Sequence, residues 1–186
     1  MKIAVIGASG FIGEKIVQEA LLRNHEVIGI YKEHPIKEQV NLTLEKLTIF
    51  DEEKFKSVLQ KADIIISAYN PGYYHVAQKE RFLDGYEVIF RVAKELNKRV
   101  IAVIGATSLM NYDGELVRNG FFPKPWLKAL EGPDAVYDKY KNDLSFDKTF
   151  VSPPAELIEG NRTKKYRTGL DNLVYDDNFE SRITVQ

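Results

Sequence analysis

The stretch Ile3-Ala4-Val5-Ile6-Gly7-Ala8-Ser9-Gly10-Phe11-Ile12-Gly13 decides the fold of this chain. Its first four residues form a continuous apolar run, which predicts a buried β-strand. Glycines follow at intervals of three residues, and apolar side chains then recur at helical spacing from Ile16 to Leu21. The stretch therefore predicts a strand, a tight glycine turn and a helix that starts at the end of the strand.

Each glycine of this turn has its own physical reason. Gly7 allows the sharp bend, Gly10 leaves room for a diphosphate to approach the backbone, and Gly13 lets the helix pack closely on the strand. The unpaired N–H groups at a helix start attract an anion without a lysine in the loop, and Ser9 adds a hydroxyl donor. We therefore predict a dinucleotide-phosphate site; a tight connection without a ligand is the alternative.

Composition indicates one globular domain over residues 1–186. The chain is 44% hydrophobic and 28% charged, which suits a single core. The net charge is −1 and the isoelectric point is near 6.3, so we expect neither nucleic acid nor an anionic membrane as a partner.

The absence of cysteine from the sequence excludes disulfides and thiolate chemistry and fits a reducing compartment. The three histidines, His25, His34 and His75, are far apart, so we expect no metal site. No apolar stretch approaches the roughly 20 residues that span a bilayer, and no signal peptide precedes the first strand. These features predict a cytoplasmic protein.

Further strand-like runs are mostly apolar throughout, which is typical of a parallel sheet covered on both faces. We predict strands at 3–6, 26–31, 64–68, 100–104 and 149–152, with a weaker strand at 41–44. Helical patterns lie between them at 11–23, 52–60, about 76–96 and 134–144. This alternation predicts an α/β fold: a Rossmann-type doubly wound parallel sheet with helices on both faces and a small C-terminal strand and turn region at 153–186.

Two segments do not follow this alternation. Residues 109–125 form a long predicted loop with nearby aromatics that either stack on a flat ligand or anchor the loop: Tyr112, Phe121, Phe122 and Trp126. The stretch Arg162-Thr163-Lys164-Lys165-Tyr166-Arg167 is the most basic of the chain. A solvated strand face and a binding patch both explain it.

Five segments of the chain resemble the atypical short-chain dehydrogenase/reductases, in particular the NADH-flavin reductase-like proteins and their nitrogen-regulator-like (NmrA-like) relatives. They are MKIAVIGASGFIG at 1–13, ADIIISAYNPG at 62–72, VIGATSL at 103–109, TFVSPPAEL at 149–157 and NRTKKYRTG at 161–169. The resemblance covers nearly the whole chain and implies a Rossmann-type NAD(P) site.

The resemblance also implies where the cofactor lies. The glycine turn would hold the diphosphate, and residues 67–69 would face the adenosine side and the diphosphate. Residues 105–107 and 153 would face the nicotinamide. The implied cofactor-binding residues are Gly7, Ser9, Gly10, Phe11, Ile12, Gly13, Lys32, Ile49, Ser67, Ala68, Tyr69, Gly105, Ala106, Thr107 and Pro153. Ligands of open α/β sheets bind at the carboxyl ends of the strands, in agreement with these positions.

The chain departs from the family pattern at two places. Related chains carry an aspartate for the adenine amine where this chain has Thr48, although Ile49 can still pack on the ring. Related chains also continue beyond the match to residues 181–183 into a final helix, whereas this sequence stops at Gln186. Truncation, partner association and a changed packing are all open.

The end of the second predicted strand bears on the choice of dinucleotide. An acidic residue there suits the ribose hydroxyl of NAD, and a basic one suits the phosphate of NADP. Tyr31 stands at the acidic position and Lys32 follows it, so we favour NADP(H) over NAD(H). Glu33 weakens this preference.

A catalytic pair is suggested by the superfamily, which uses a tyrosine four residues before a lysine. Tyr137 and Lys141 have this spacing, which places them on one helix face. A chain with this many tyrosines and lysines is expected to contain about one pair with this spacing by chance. The flavin-reductase-like relatives generally do not rely on it, because the cofactor itself supplies the hydride.

We therefore expect an NAD(P)H-dependent reductase of a flavin, quinone or similar planar small molecule, with a homodimer left open. One alternative is a sensor that binds NADP without turnover and passes its occupancy to a partner. Another is a sugar-nucleotide epimerase or dehydratase, which would require Tyr137 and Lys141.

Overall fold

Six parallel strands form the central sheet in the computed structural model, which describes residues 1–72, 77–120 and 122–185. The strands are β1 (Lys2–Ile6), β2 (Glu26–Tyr31), β3 (Leu42–Lys46), β4 (Ile64–Ser67), β5 (Arg99–Val103) and β6 (Lys148–Val151). Their order across the sheet is β3-β2-β1-β4-β5-β6. The order reverses between β1 and β4, and this switch point creates a crevice at the carboxyl ends of these two strands.

The helices cover both faces of this sheet, which confirms the predicted Rossmann-type fold. They are α1 (Phe11–Leu22), α2 (Glu52–Leu59), α3 (Gln78–Glu95) and α4 (Lys124–Tyr140), with short 3₁₀ turns at Ala106–Ser108 and Val117–Asn119. None of the helices in the described residues combines the length and the apolar character needed to cross a membrane.

Side chains along β1 point alternately to the two faces of the sheet, and both faces are buried, so the strand is apolar throughout. Ala4 and Ile6 point into the larger core, which contains residues of α2, α3 and α4, whereas Ile3 and Val5 pack on the α1 side with Val17. Both faces of the strand are thus buried, and no position along it favours a polar side chain.

Tyr86 of α3 ties the helix layer to the carboxyl ends of the central strands. Its ring is fully buried. Its hydroxyl donates to the Val103 carbonyl oxygen at 3.0 Å and lies 3.2 Å from the Ser67 hydroxyl. Burial raises the pKa of the Tyr86 phenol, so this group stays protonated and keeps its donor role.

The fourth helix differs from the sequence prediction. We predicted 134–144, but α4 begins ten residues earlier at Lys124 and ends at Tyr140. A proline in the first turn of a helix loses no intrahelical hydrogen bond, so Pro125 does not prevent the earlier start. Packing on α3 then stabilises the helix around Pro133: a Cβ on Gly132 would lie 2.6 Å from the Phe82 Cβ, so the two helices approach closely at that glycine. The predicted start of α3, near Val76, lies outside the described residues.

The C-terminal region contains a separate parallel pair of strands, β7 (Glu156–Glu159) and β8 (Arg182–Val185). The basic stretch between them is irregular and exposed, so its interpretation as a solvated strand face is wrong. It pairs with no strand; instead, the Arg162 guanidinium donates to the two carboxylate oxygens of Glu19 on α1 at 2.6 and 2.8 Å. The ion pair attaches this segment to the α1 side of the sheet.

The ion pair between Glu19 and Arg162 predicts an acid-dependent contribution to stability. Hydrogen bonds from Arg162 and Arg23 lower the pKa of Glu19 from 4.5 to about 2. Since the folded pKa is depressed, the contribution is complete above pH 4.5 and is lost as the pH falls toward about 2. We expect Glu19→Gln to lower the free energy of unfolding by about 1 kcal/mol or less at pH 7, because the pair is partly exposed.

Urea denaturation at several pH values measures this difference. Glu38→Gln is the control, since Glu38 is exposed, lies outside the helices and forms no salt bridge with a described residue. A difference between wild type and Glu19→Gln that stays constant from pH 7 to pH 2 would contradict the prediction.

Candidate functional site

The glycine turn is formed by close backbone contacts between β1 and α1. Gly7 has φ +78°, a left-handed conformation that disfavours other residues, and its N–H donates to the Ile30 carbonyl oxygen of β2 at 3.0 Å. A Cβ on Gly13 would lie 1.9 Å from the Gly7 carbonyl oxygen. Side chains are therefore excluded at both positions by the backbone itself.

Gly10 is different, because the space beside it is largely open. A Cβ there would meet one atom, the Gly7 carbonyl oxygen at 3.3 Å. Ser9, Gly10 and Phe11 are all exposed, and the first N–H groups of α1 have no intrahelical acceptor. An exposed cradle of N–H groups with room above Gly10 fits a diphosphate.

At the end of β4, the predicted residues Ser67 and Tyr69 direct their side chains away from the glycine turn, and Ala68 faces the turn with its backbone. Ser67 is fully buried, and its hydroxyl accepts from the Tyr69 N–H at 3.3 Å. The Tyr69 hydroxyl donates to the Arg81 carbonyl oxygen at 3.1 Å, and burial raises its pKa to about 12. These side chains therefore point toward α3. The Ala68 carbonyl oxygen lies beside the glycine turn, 2.7 Å from where a Gly7 Cβ would be.

The turn after β5 directs most of its side chains into the protein. Ala106 is 5% exposed and packs with Val117 and Leu173. Thr107 is fully buried and donates to a carboxylate oxygen of Asp134 at 2.6 Å. At Gly105, a Cβ would lie 3.3 Å from the Pro133 Cβ, so the turn rests directly on α4.

Asp134 is a buried carboxyl group that sequence reasoning missed. Burial raises its pKa, and the Thr107 hydrogen bond and the Arg118 charge partly oppose that rise. One helical turn later, Asp138 accepts from Arg118 at 2.7 and 3.2 Å. Hydrogen bonds to these two carboxylates of α4 thus hold the 3₁₀ turns Ala106–Ser108 and Val117–Asn119.

Ser108, which we did not predict, faces a cavity where Thr107 does not. Its hydroxyl donates to the Gly105 carbonyl oxygen at 2.9 Å and lies 2.9 Å from the Ser152 hydroxyl. The neighbouring Pro153 also lines this cavity. The only sequence signal for Ser108 is its place in the turn after β5, next to the predicted Thr107.

The cavity has a volume of about 1110 Å³ and lies beside the glycine turn. It extends over the α1-side face of β5, which no helix covers within the described residues, and Ile101 and Val103 of that face form part of its wall. Its other apolar lining residues include Ile12, Ile16, Ile66, Leu109, Leu157, Ile183 and Val185. Such a space suits an apolar or planar molecule larger than a single aromatic ring.

Tyr137 and Lys141 line a smaller recess of about 410 Å³ together with Ser108. The Lys141 ammonium group lies 5.3 Å from the centre of the Tyr137 ring and forms a salt bridge with Asp138 at 3.1 Å. The Tyr137 ring packs edge-on against Phe150. The structure thus brings the predicted pair together, with the lysine charge shared with a carboxylate.

The residues predicted at the adenosine end are less uniform. Lys32 is exposed and lies 3.3 Å from the carboxylate of Glu33. Ile49 is 5% exposed and belongs to the core around α2, and the Thr48 hydroxyl accepts from the Phe50 N–H at 3.4 Å. The role of Ile49 toward adenine stays a prediction.

The aromatic residues of the long loop do not form one surface. Phe122 packs against a buried cluster and stacks on Trp126 with ring centres 6.2 Å apart. Tyr112 contacts Phe179 instead, and Phe121 lies outside the described residues. Phe122 therefore anchors the loop to the domain. Over residues 1–72, 77–120 and 122–185, no group of three His, Asp or Glu side chains is placed to hold a metal ion.

Comparisons with known proteins agree with this geometry. The sequence profile of a family described as NAD(P)H-binding matches residues 7–186. The uncharacterized protein YwnB of Bacillus subtilis (strain 168) is 30% identical over 196 residues, which cover 99% of this chain and 86% of that protein.

Two solved structures are similar over most of their length. One, from Bacteroides thetaiotaomicron and provisionally described as an epimerase, is 32% identical with a TM-score of 0.85, covering 98% of this chain and 84% of that one. The other, from Streptococcus pneumoniae TIGR4 and provisionally described as an NADH-flavin reductase, is 28% identical with a TM-score of 0.80, covering 99% and 87%.

The contrast between Gly10 and Gly13 predicts two different mutant phenotypes. Gly13→Ala places a methyl group against a backbone oxygen, so α1 must shift, and we expect unfolding to become easier by about 3 kcal/mol. Gly10→Ala leaves the fold nearly intact, but its methyl group occupies the open cradle and weakens dinucleotide binding. Urea denaturation and a fluorescence titration with NADPH measure the two effects. Equal stability of Gly13→Ala and wild type would refute the packing argument.

Proposed function

Because this chain belongs to the NAD(P)H-binding family of atypical short-chain dehydrogenase/reductases, we propose that it uses NAD(P)H to reduce a flavin, a quinone or a similar planar acceptor. One observation carries the proposal: the exposed glycine cradle and the large apolar cavity share Ile12 as a common border. A dinucleotide on the cradle would therefore reach the cavity with its far end.

The chain's own residues would bind and orient the two partners. The backbone N–H groups of residues 11–13 would hold the diphosphate, and the helix dipole adds to their attraction. Pro153 and Leu109 would exclude water from the nicotinamide end. When bound, NAD(P)H supplies a hydride to the acceptor, so the protein needs little acid or base chemistry of its own.

The acid-base pair supports a second candidate, an epimerase- or dehydrogenase-like activity. Ser108, Tyr137 and Lys141 line one recess, which is an arrangement suited to proton transfer from the phenol. The relative provisionally described as an epimerase is in line with this alternative. Against it, the Lys141 ammonium group forms an ion pair with Asp138 at 3.1 Å, which reduces the influence of the Lys141 charge on Tyr137.

Thermal unfolding followed by a turnover assay tests the main proposal. At 100 times its dissociation constant, a dinucleotide stabilises the protein by about 2.7 kcal/mol, which a melting curve resolves. We then expect NAD(P)H oxidation with riboflavin, flavin mononucleotide or menadione as the acceptor. Binding without turnover on any acceptor would support the alternative of a nucleotide sensor. Complete loss of turnover in Tyr137→Phe would instead identify the phenol as the proton donor.

The proposed preference for NADP(H) rests on Lys32 and has its own test. We propose that its ammonium group contacts the 2′-phosphate, while Glu33 partly neutralises it at 3.3 Å. Lys32→Ala should lower the NADPH/NADH affinity ratio by about two- to fivefold, and Glu33→Gln should raise it by a similar factor, because both groups are exposed. Isothermal titration with each dinucleotide gives the ratio. An unchanged ratio in Lys32→Ala would exclude the contact.

A further inference from the structure

The basic segment Arg162–Arg167 is attached to the rest of the fold through Arg162. It places four cations within six residues of a chain whose net charge is −1. Arg162 is held by Glu19 of α1, and hydrogen bonds from Arg162 and Arg23 lower the pKa of that carboxyl to about 2. The segment is therefore fixed in place at its start.

Two later cations of the segment, Lys165 and Arg167, form no salt bridge with any described residue. The carboxylate of Asp176 lies close enough to Arg167 for the charge to contribute to its low pKa. That carboxylate is already paired, because one of its oxygens lies 3.7 Å from the Arg182 guanidinium and the other accepts from the backbone N–H groups of Asn178 and Glu180 at 2.9 and 3.0 Å. The charges of Lys165 and Arg167 thus remain available to a ligand.

Both side chains line the same cavity as Ser108 and Pro153, the residues at the proposed nicotinamide end. The cavity wall near the sheet is mostly apolar. Its charged lining residues are Lys165, Arg167, Asp171, Asp176 and Arg182, and Arg182 pairs with Glu180 and Asp176. A ligand that matches this arrangement has a flat apolar part and an anionic tail. A guanidinium group and an ammonium group together are well suited to a phosphate.

We propose that Lys165 and Arg167 bind the phosphate of the acceptor, so that the protein selects a phosphorylated flavin over an uncharged flavin or quinone. This inference rests on the proposed reductase function for the identity of the planar ring. The phosphate specificity itself rests on the two cations and on the cavity that they share.

Fluorescence quenching of flavin mononucleotide and of riboflavin, with the protein saturated with NADP⁺, tests the proposal without any turnover. We expect wild type to bind flavin mononucleotide about tenfold more tightly than riboflavin in low salt, and this ratio should decrease as salt screens the exposed charges. The double variant Lys165→Ala/Arg167→Ala should bring the ratio close to one.

The matched control is Lys61→Ala/Lys98→Ala, which removes the same charge at the amino ends of β4 and β5, on the opposite edge of the sheet. It should keep the wild-type ratio. Equal wild-type affinities for the two flavins, or an equal loss in both double variants, would overturn the proposal.

Two further outcomes separate this inference from the proposed function. A phosphate-dependent flavin affinity without NAD(P)H oxidation would reject the reductase activity and support the site. A loss of NADPH affinity in Lys165→Ala/Arg167→Ala, with the flavin ratio unchanged, would assign the two cations to a phosphate of the dinucleotide and overturn their role toward the acceptor.

Discussion

The close approach of α1 to the end of β1 is the constraint on which the rest of the structure depends. The Gly7 carbonyl oxygen lies where a Cβ on Gly13 would be, so the helix starts directly against the strand end. This contact fixes the direction of the first N–H groups of α1. Of the three glycines it leaves only Gly10 with open space beside it, and Ile12 then forms the border of the cavity. The glycine cradle and the border of the cavity thus both depend on this one backbone contact.

A second set of contacts, between α4 and the two 3₁₀ turns, positions the part of the cavity wall that contains Ser108. Asp134 and Asp138 are one turn apart on α4, where two like charges would repel each other without partners. Thr107 and Arg118 supply those partners from the two 3₁₀ turns. The hydrogen bonds from Thr107 and Arg118 to these two carboxylates hold the loop after β5 on α4. Ser108, next to Thr107, is thereby placed at the cavity.

The parallel sheet and the glycine turn were predictable because strand periodicity and glycine spacing are local properties of the sequence. The start of α4 was not, since Pro133 suggests a break and only contact with α3 shows that the helix continues through it. Side-chain direction after β5 was also not predictable. Thr107 and Ser108 are adjacent polar residues, and their different orientations depend on Asp134, which lies 27 positions away.

The pairing of β1 with β4 has a consequence for how the chain is made. β1 reaches its first neighbour, β2, within the first 31 residues, but its other neighbour ends at Ser67. On a ribosome, this central strand therefore has one unpaired edge until more than a third of the chain has been synthesised. Parallel contacts of this kind form slowly, because a long loop must close first. During that interval the residues of the glycine turn, its strand and its helix have been made, but the crevice between β1 and β4 does not yet exist.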